Sequence, residues 1–310
     1  MKNAKIYVAG HTGLIGSAII RKLLEKNYRN IITVNKNDLD LRNQASVFQF
    51  LKKKKPEYVI LAAAKVGGIF ANNKYRAEFI YDNLAIQNNI IHGSFINNIN
   101  NLIFLGSSCI YPKNSRQPIK EGYLLTGKLE NTNEPYAIAK IAGIKMCESY
   151  NFQYATNYKC LMPANSYGIE DNFDLKTSHF FPALIRKVHE AKIYKKNSIT
   201  LWGSGKARRE LIFSDDIAEA CIFFMKKRTK ETLINIGTGK DFSIKYYLNF
   251  LIRNLNCNIK KINFDKSIPD GTLRKLLDVS LANSYGWKSK TSLQEGVLKT
   301  YKYFLSKELV

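Results

Sequence analysis

Short runs of Ile, Val, Leu and Tyr alternate along the first half of the chain with longer stretches in which apolar residues recur every three or four positions. The runs are "KIYVAG" from Lys5 to Gly10, "NIITV" from Asn30 to Val34, "YVILAAA" from Tyr58 to Ala64, "NLIFLGS" from Asn101 to Ser107 and "NYKCLMPAN" from Asn157 to Asn165. Helical spacing covers Leu14 to Lys26, Gln44 to Lys54, Arg76 to Asn97 and a segment that opens near Pro135. Nearly continuous apolar runs suit strands buried on both faces, and strand-helix alternation sets successive strands parallel. The pattern predicts an α/β fold built on a doubly wound parallel sheet.

From Tyr167 the pattern becomes mixed, with a helix over about Ser178 to Ala191, a short strand at "ITLWG" and loops rich in Gly, Lys and Arg. Two later segments resume the earlier style, "DDIAEACIFFMKK" from Asp215 to Lys227 and "TLINIGTG" from Thr232 to Gly239. We therefore expect a first domain over residues 1–166 with returns near 211–239. A smaller, mixed α/β domain, discontinuous and suited to substrate, takes most of 167–310.

Composition narrows the class. The 310 residues, 45% of them hydrophobic, suffice for two modest cores. No apolar run is long enough to span a bilayer, and Met1 to Lys5 leads straight into a strand, so the expectation is a cytoplasmic protein with no membrane partner. Cys109, Cys147, Cys160, Cys221 and Cys257 are odd in number and form no Cys-x-x-Cys pair, which argues against both disulfides and a metal site. The 48 basic and 25 acidic residues leave a formal charge of +23, which calls for an anionic partner. The lysines are scattered, and the densest run, Lys52 to Lys55, closes a predicted helix, where cations suit the dipole. No stacking-aromatic or basic-arm motif accompanies them, so a phosphorylated cofactor and substrate fit better than nucleic acid.

The cofactor signal lies at the start. In "VAGHTGLIGSAI", Gly10, Gly13 and Gly16 follow the first strand and open the first helix, so the backbone can approach a pyrophosphate at the helix N-terminus. This is a Rossmann-like dinucleotide loop, with Thr12, Leu14 and Ile15 inside it. An acidic residue after the second strand would bind the ribose hydroxyls of NAD and repel a 2′-phosphate. The chain has Asn35 and Lys36 there, so NADPH is the expected cofactor, with a solvated loop lysine as the plainer reading of Lys36.

A second constellation carries chemistry. In "NEPYAIAKIAGIK", Tyr136 and Lys140 lie four apart on one helix face. A tyrosine needs help to exchange a proton near neutral pH, and an adjacent ammonium favours its phenolate. Ser107 ends the preceding strand, with Cys109 beside it, either as packing or as a proton-transfer group.

On these residues the sequence resembles the extended short-chain dehydrogenase/reductases, and within them the GDP-L-fucose synthase family. The resemblance runs through "LAAAKVGGIFANN", "NLAIQNNIIH", "FLGSSCIYP", "WGSGKARRE" and "PDGTLRKLLDVS" as well as the two motifs above. It implies a GDP-4-keto-6-deoxy-mannose substrate, epimerised at carbons 3 and 5 and reduced at carbon 4 with NADPH. A carbon 4 reductase of another GDP-4-keto sugar, such as a heptose, and a non-catalytic NAD(P)-binding sensor are the alternatives.

By the resemblance Ser107, Tyr136 and Lys140 serve the reduction, and Cys109 with His179 supplies the acid/base pair that epimerisation needs. It implies cofactor contacts at Leu105, Gly106, Lys140, Pro163, Asn165 and His179, and substrate contacts at Lys187, Trp202, Arg209 and Asp278. Trp202 reads alternatively as core, Lys187 as a solvated helix lysine and His179 as a surface cap. A homodimer through the helices starting at Arg76 and near Pro135 is also implied.

Overall fold

The computed structural model describes residues 2–175, 177–267 and 271–307. Pro269 and Asp270 of the "PDGTLRKLLDVS" motif, and Lys176, lie outside them.

The first elements follow the hydrophobic pattern closely: β1 (Ile6–Ala9), α1 (Leu14–Glu25), β2 (Ile31–Ile32), α2 (Gln44–Lys54), β3 (Tyr58–Leu61), α3 (Ile69–Lys74), α4 (Arg76–Ile96) and β4 (Asn101–Leu105). Next come α5 (Glu134–Tyr154), with Pro135 in its first turn, and β5 (Asn157–Pro163). Proline suits that position because its missing N–H has no intrahelical partner there. Strand β2 is shorter than the "NIITV" run, because the chain turns at Asn35, whose carbonyl accepts from Asp38 N and Leu39 N at 3.1 and 3.0 Å.

The chain then crosses to other sheets through β6 (Asn165–Tyr167), α6 (Phe180–Ile193), β7 (Ser198–Trp202) and β8 (Arg208–Phe213). It returns with α7 (Ser214–Lys226) and β9 (Leu233–Ile236), and leaves again through β10 (Asp241–Ser243), α8 (Ile244–Asn254), β11 (Lys261–Asp265) and β12 (Arg274–Lys275). Short α9 (Ser280–Ser284) and α10 (Leu293–Ser306) finish the described chain.

Six parallel strands form the main sheet in the order β2-β1-β3-β4-β5-β9. Helices α1 and α7 pack together on one face, and α2, α4 and α5 on the other. The buried apolar residues separate into two clusters. One spans the main sheet and takes in Ile217, Phe224, Ile234, Leu277 and Trp287 from late in the chain. The other is formed by α6, β7, β8, α8 and α10, around Phe181, Ile185, Phe213, Leu248 and Phe304. Phe224 is fully buried, and its truncation to Ala would cost about 3–5 kcal/mol.

Strand order reverses between β1 and β3, which are neighbours although their connections depart to opposite sides. In open parallel sheets that switch point opens a crevice beyond the strands' carboxyl ends. The glycine loop, Gly106 and the residues after β3 all lie there.

Candidate active site

The three glycines have different duties. Gly10 takes φ 84°, and a Cβ there would sit 2.6 Å from Ala63 N, so the turn off β1 presses on the chain leaving β3. A Cβ at Gly16 would lie 1.9 Å from Gly10 O, which fixes α1 against the turn. At Gly13 the nearest such neighbour is Gly10 O at 3.7 Å, so space is open at the helix start. No side chain caps α1, and the first-turn amides of Leu14 and Ile15 have no carbonyl partner within the helix. Two tight glycines and one open one make a cradle that fits a dinucleotide pyrophosphate. Thr12 and Lys36 are exposed beside it.

Strand β4 carries the reaction centre to the crevice. Gly106 N donates to Leu161 O at 3.0 Å, and a Cβ there would meet Met162 Cε at 2.2 Å, so β4 and β5 end locked together. Pro163 and Asn165 follow at the end of β5 and the start of β6. Ser107 has extended backbone, and its Oγ accepts from Cys109 N at 3.4 Å, opening a single helical turn over Ser108–Ile110. That turn aims two side chains from neighbouring positions at one place.

Across from it, α5 presents Tyr136 and Lys140. Lys140 is buried, donates to Leu105 O at 2.9 Å and lies 5.8 Å from the Tyr136 ring centre. Burial lowers its ammonium to about 8, with Cys109 and Cys160 acting the other way. Burial and then Cys109 push the Tyr136 phenol above its ordinary value, which favours its protonated form.

Cys109 is buried and its thiol is pushed up, first by desolvation. Against this act the Lys275 ammonium, a hydrogen bond from Ser107 and the Lys140 ammonium, in that order. Lys275 was not singled out by the sequence reading. It belongs to β12, pairs in register with Arg209 of β8, and is itself lowered by burial. Strand β12 is fastened to the chain after Cys109: Leu276 N donates to Gln117 Oε1 at 2.8 Å, and Ile119 N donates to Leu276 O at 2.7 Å. The available signal was the pair of cations in "TLRKLLD", within a motif already noted.

His179 is the N-cap residue of α6, and its side chain does not cap the helix. It is solvent-accessible by area yet ringed by protein, as a group on the wall of an open cleft is. Desolvation lowers its imidazole below the ordinary value.

The substrate candidates divide. Lys187 donates to Thr200 O at 3.1 Å and lies 5.0 Å above the Trp202 ring, and Trp202 is 54% exposed, so it is a surface platform and not core. Arg208 is committed to Asp241 at 3.0 Å, with Arg274 on the same carboxylate at 2.7 Å. Arg209 donates to Arg208 O at 2.8 Å and to Thr272 O at 2.6 Å, and adjoins Lys275. The Asp278 carboxylate accepts from Ser280 N at 2.9 Å at the start of α9, and its charge faces Lys120.

The crevice thus joins a dinucleotide cradle to a Ser, Tyr and Lys set with the Cys109 thiol beside it, an arrangement that suits a nucleotide-sugar oxidoreductase and epimerase. The family model described as "NAD dependent epimerase/dehydratase family" matches residues 6–237, and the chain belongs to that family. It is 50% identical over 302 residues to a GDP-L-fucose synthase of Sinorhizobium fredii, covering 97% of this chain and 96% of that one. A putative GDP-L-fucose synthase 2 of Arabidopsis thaliana is 49% identical, covering 98% of this chain and 92% of the relative. The solved structure of a GDP-mannoheptose C4 reductase from Campylobacter jejuni, with NADP bound, superimposes with a TM-score of 0.91 at 41% identity, covering 98% of this chain and 99% of that one.

Proposed function

We propose that the protein converts GDP-4-keto-6-deoxy-D-mannose to GDP-L-fucose, by epimerisation at carbons 3 and 5 and reduction at carbon 4. The observation that carries this is the placing of Cys109 beside the Ser107, Tyr136 and Lys140 set, because reduction alone has no need of a second acid/base group. Residues 1–166 with the return near 211–239 hold NADP(H) through Gly10, Thr12, Gly13, Leu14, Ile15, Gly16, Lys36, Leu105, Gly106, Lys140, Pro163, Asn165 and His179. Residues 167–310 mainly hold the GDP-sugar, through Lys187, Trp202, Arg209 and Lys275.

Bound NADPH supplies a hydride for carbon 4. Ser107 and Tyr136 grip the carbon 4 oxygen, and their hydrogen bonds stabilise the enolate that forms when a proton leaves carbon 3 or carbon 5. Cys109 and His179 remove and return those protons on opposite faces. The Lys275 and Lys140 ammoniums favour the thiolate that burial disfavours. In the reduction Tyr136, held protonated, gives its proton to the carbon 4 oxygen. Lys187 and Arg209 meet the diphosphate, and Trp202 offers a face for stacking.

Incubation with this substrate and NADPH in heavy water tests the reading. Deuterium at carbons 3 and 5 of a GDP-L-fucose product supports it; NADPH oxidation without label overturns it in favour of a plain carbon 4 reductase. The similarity to a GDP-mannoheptose reductase favours a GDP-4-keto heptose as second substrate, and the ratio of kcat/KM for the two sugars decides between them.

A cytoplasmic location is supported by the five free, buried cysteines, which a reducing compartment keeps as thiols. Among the described residues no helix is long and apolar enough to cross a membrane. A homodimer through α4 and α5 is supported by exposed Tyr81, Ile138 and Phe152 on those helices, and light scattering checks it.

A further inference from the structure

We infer that the turn from Lys65 to Asn73, the "KVGGIFANN" motif, positions His179 for proton transfer and that Gly68 is its critical residue. The inference rests on the reading of His179 as a proton carrier.

The turn leaves the carboxyl end of β3 and reaches across to the segment that leads into α6. Gly68 N donates to Thr177 O at 3.1 Å. A Cβ on Gly68 would lie 2.9 Å from Ser178 O and 3.4 Å from Thr177 O. The backbone at Gly68, φ −66° and ψ 176°, suits any residue, so space and not conformation demands glycine. The carbonyl it presses belongs to the residue immediately before His179.

Both sides of this contact are stiff. Buried Asn72 donates through Nδ2 to Gly67 O at 2.7 Å and Gly68 O at 3.1 Å. Buried Asn83 accepts from Lys65 N and donates to Lys65 O, both at 3.0 Å, which pins the start of the turn. Opposite, Thr177 N and Oγ1 both donate to Asp174 Oδ1 at 2.8 Å, and Ser178 N donates to Asp174 O at 3.0 Å. A push on Ser178 therefore passes to His179 at the next residue. The first lobe sets the place of a side chain that the second lobe carries.

A methyl on Gly68 has to open the 2.9 Å contact to ordinary van der Waals distance, a movement of ~0.5 Å. Misplacement by about 1 Å costs a proton-transfer step roughly 100-fold, so about half that distance corresponds to roughly tenfold.

The test compares two readouts on Gly68→Ala, Asn72→Ala and His179→Gln. One is deuterium wash-in at carbons 3 and 5 of GDP-4-keto-6-deoxy-mannose on the NADP+-loaded enzyme. The other is oxidation of GDP-L-fucose by NADP+, which runs the carbon 4 step without epimerisation. Gly68→Ala is expected to lower wash-in about tenfold while carbon 4 oxidation changes less than about twofold. Asn72→Ala, which loosens the turn without crowding it, is expected to act in the same direction and serves if the alanine at 68 does not fold. Equal loss of both rates, or full wash-in in both turn variants while His179→Gln loses it, overturns the positioning role. Full wash-in in His179→Gln overturns the reading of His179 itself.

Discussion

Glu210 lies between the two lobes' strands, and its replacement by glutamine gives a quantitative check on how the site is held. The carboxylate is 1% exposed. Oε1 accepts from Thr238 N and Gly239 N at 2.6 and 2.7 Å, and Oε2 accepts from Leu277 N at 2.8 Å. Burial outweighs these three bonds and raises its pKa from an ordinary 4.5 to about 7. A group with a raised folded pKa binds its proton more tightly when folded. Its contribution to stability is therefore complete below pH 4.5 and disappears as pH rises to about 7. A pKa gap of about 2.5, at 1.36 kcal/mol each, amounts to about 3 kcal/mol.

Glu210→Gln removes that titration. Its amide keeps one oxygen for Thr238 N and Gly239 N but turns an NH2 toward Leu277 N, leaving a buried donor unpaired at about 1–3 kcal/mol. Urea unfolding of both proteins from pH 4.5 to 8 isolates the effect, because His179, His189 and Asp171 titrate in both and cancel. The variant is expected to be the less stable by about 1–3 kcal/mol at pH 4.5, and a shift of about 3 kcal/mol in its favour by pH 8 leaves it as stable as the parent or more so. A stability difference that stays flat with pH, or widens as pH rises, refutes the reasoning.

Replacement of Lys275 by methionine removes the main charge favouring the Cys109 thiolate, so the rise of deuterium wash-in with pH moves to higher pH; an unmoved rise removes Lys275 from the proton-transfer centre. Lys36→Ala is expected to reduce the preference for NADPH over NADH in kcat/KM about tenfold, one charge-assisted hydrogen bond, and an unchanged ratio removes the 2′-phosphate assignment. Gly16→Ala drives a methyl into the Gly10 carbonyl, and fluorescence titration should show NADPH binding abolished while the far-ultraviolet dichroism is kept.

The first lobe was legible because its signals are local. Continuous Ile and Val runs and period-3.6 helices delimit α2 at Gln44 and Lys54 without any knowledge of what they pack on. The second lobe was less so. Helices α8 and α10 bury apolar stripes against strands far away in the chain, and β12 has two residues whose pairing with β8 no periodicity announces. The site follows the same division. Ser107, Cys109, Tyr136 and Lys140 stand in two compact motifs that folding brings face to face. Lys275 acquires its meaning from a strand pairing that no local pattern announces. The burial that raises the Tyr136 phenol was not legible, because adjacency in a motif says nothing of burial.

The interleaving of the lobes has a consequence for how the chain is made. Edge strand β9, the covering helix α7 and Trp287 of the first core are supplied after long excursions into the second. On the ribosome the nascent sheet would emerge with its β5 edge unpaired and one face covered by α1 alone, and it can close only when nearly the whole polypeptide is out. Domains usually fold in order as they appear. Here the cofactor lobe begins first and is completed among the last, so fragments cut between the lobes should need each other to fold.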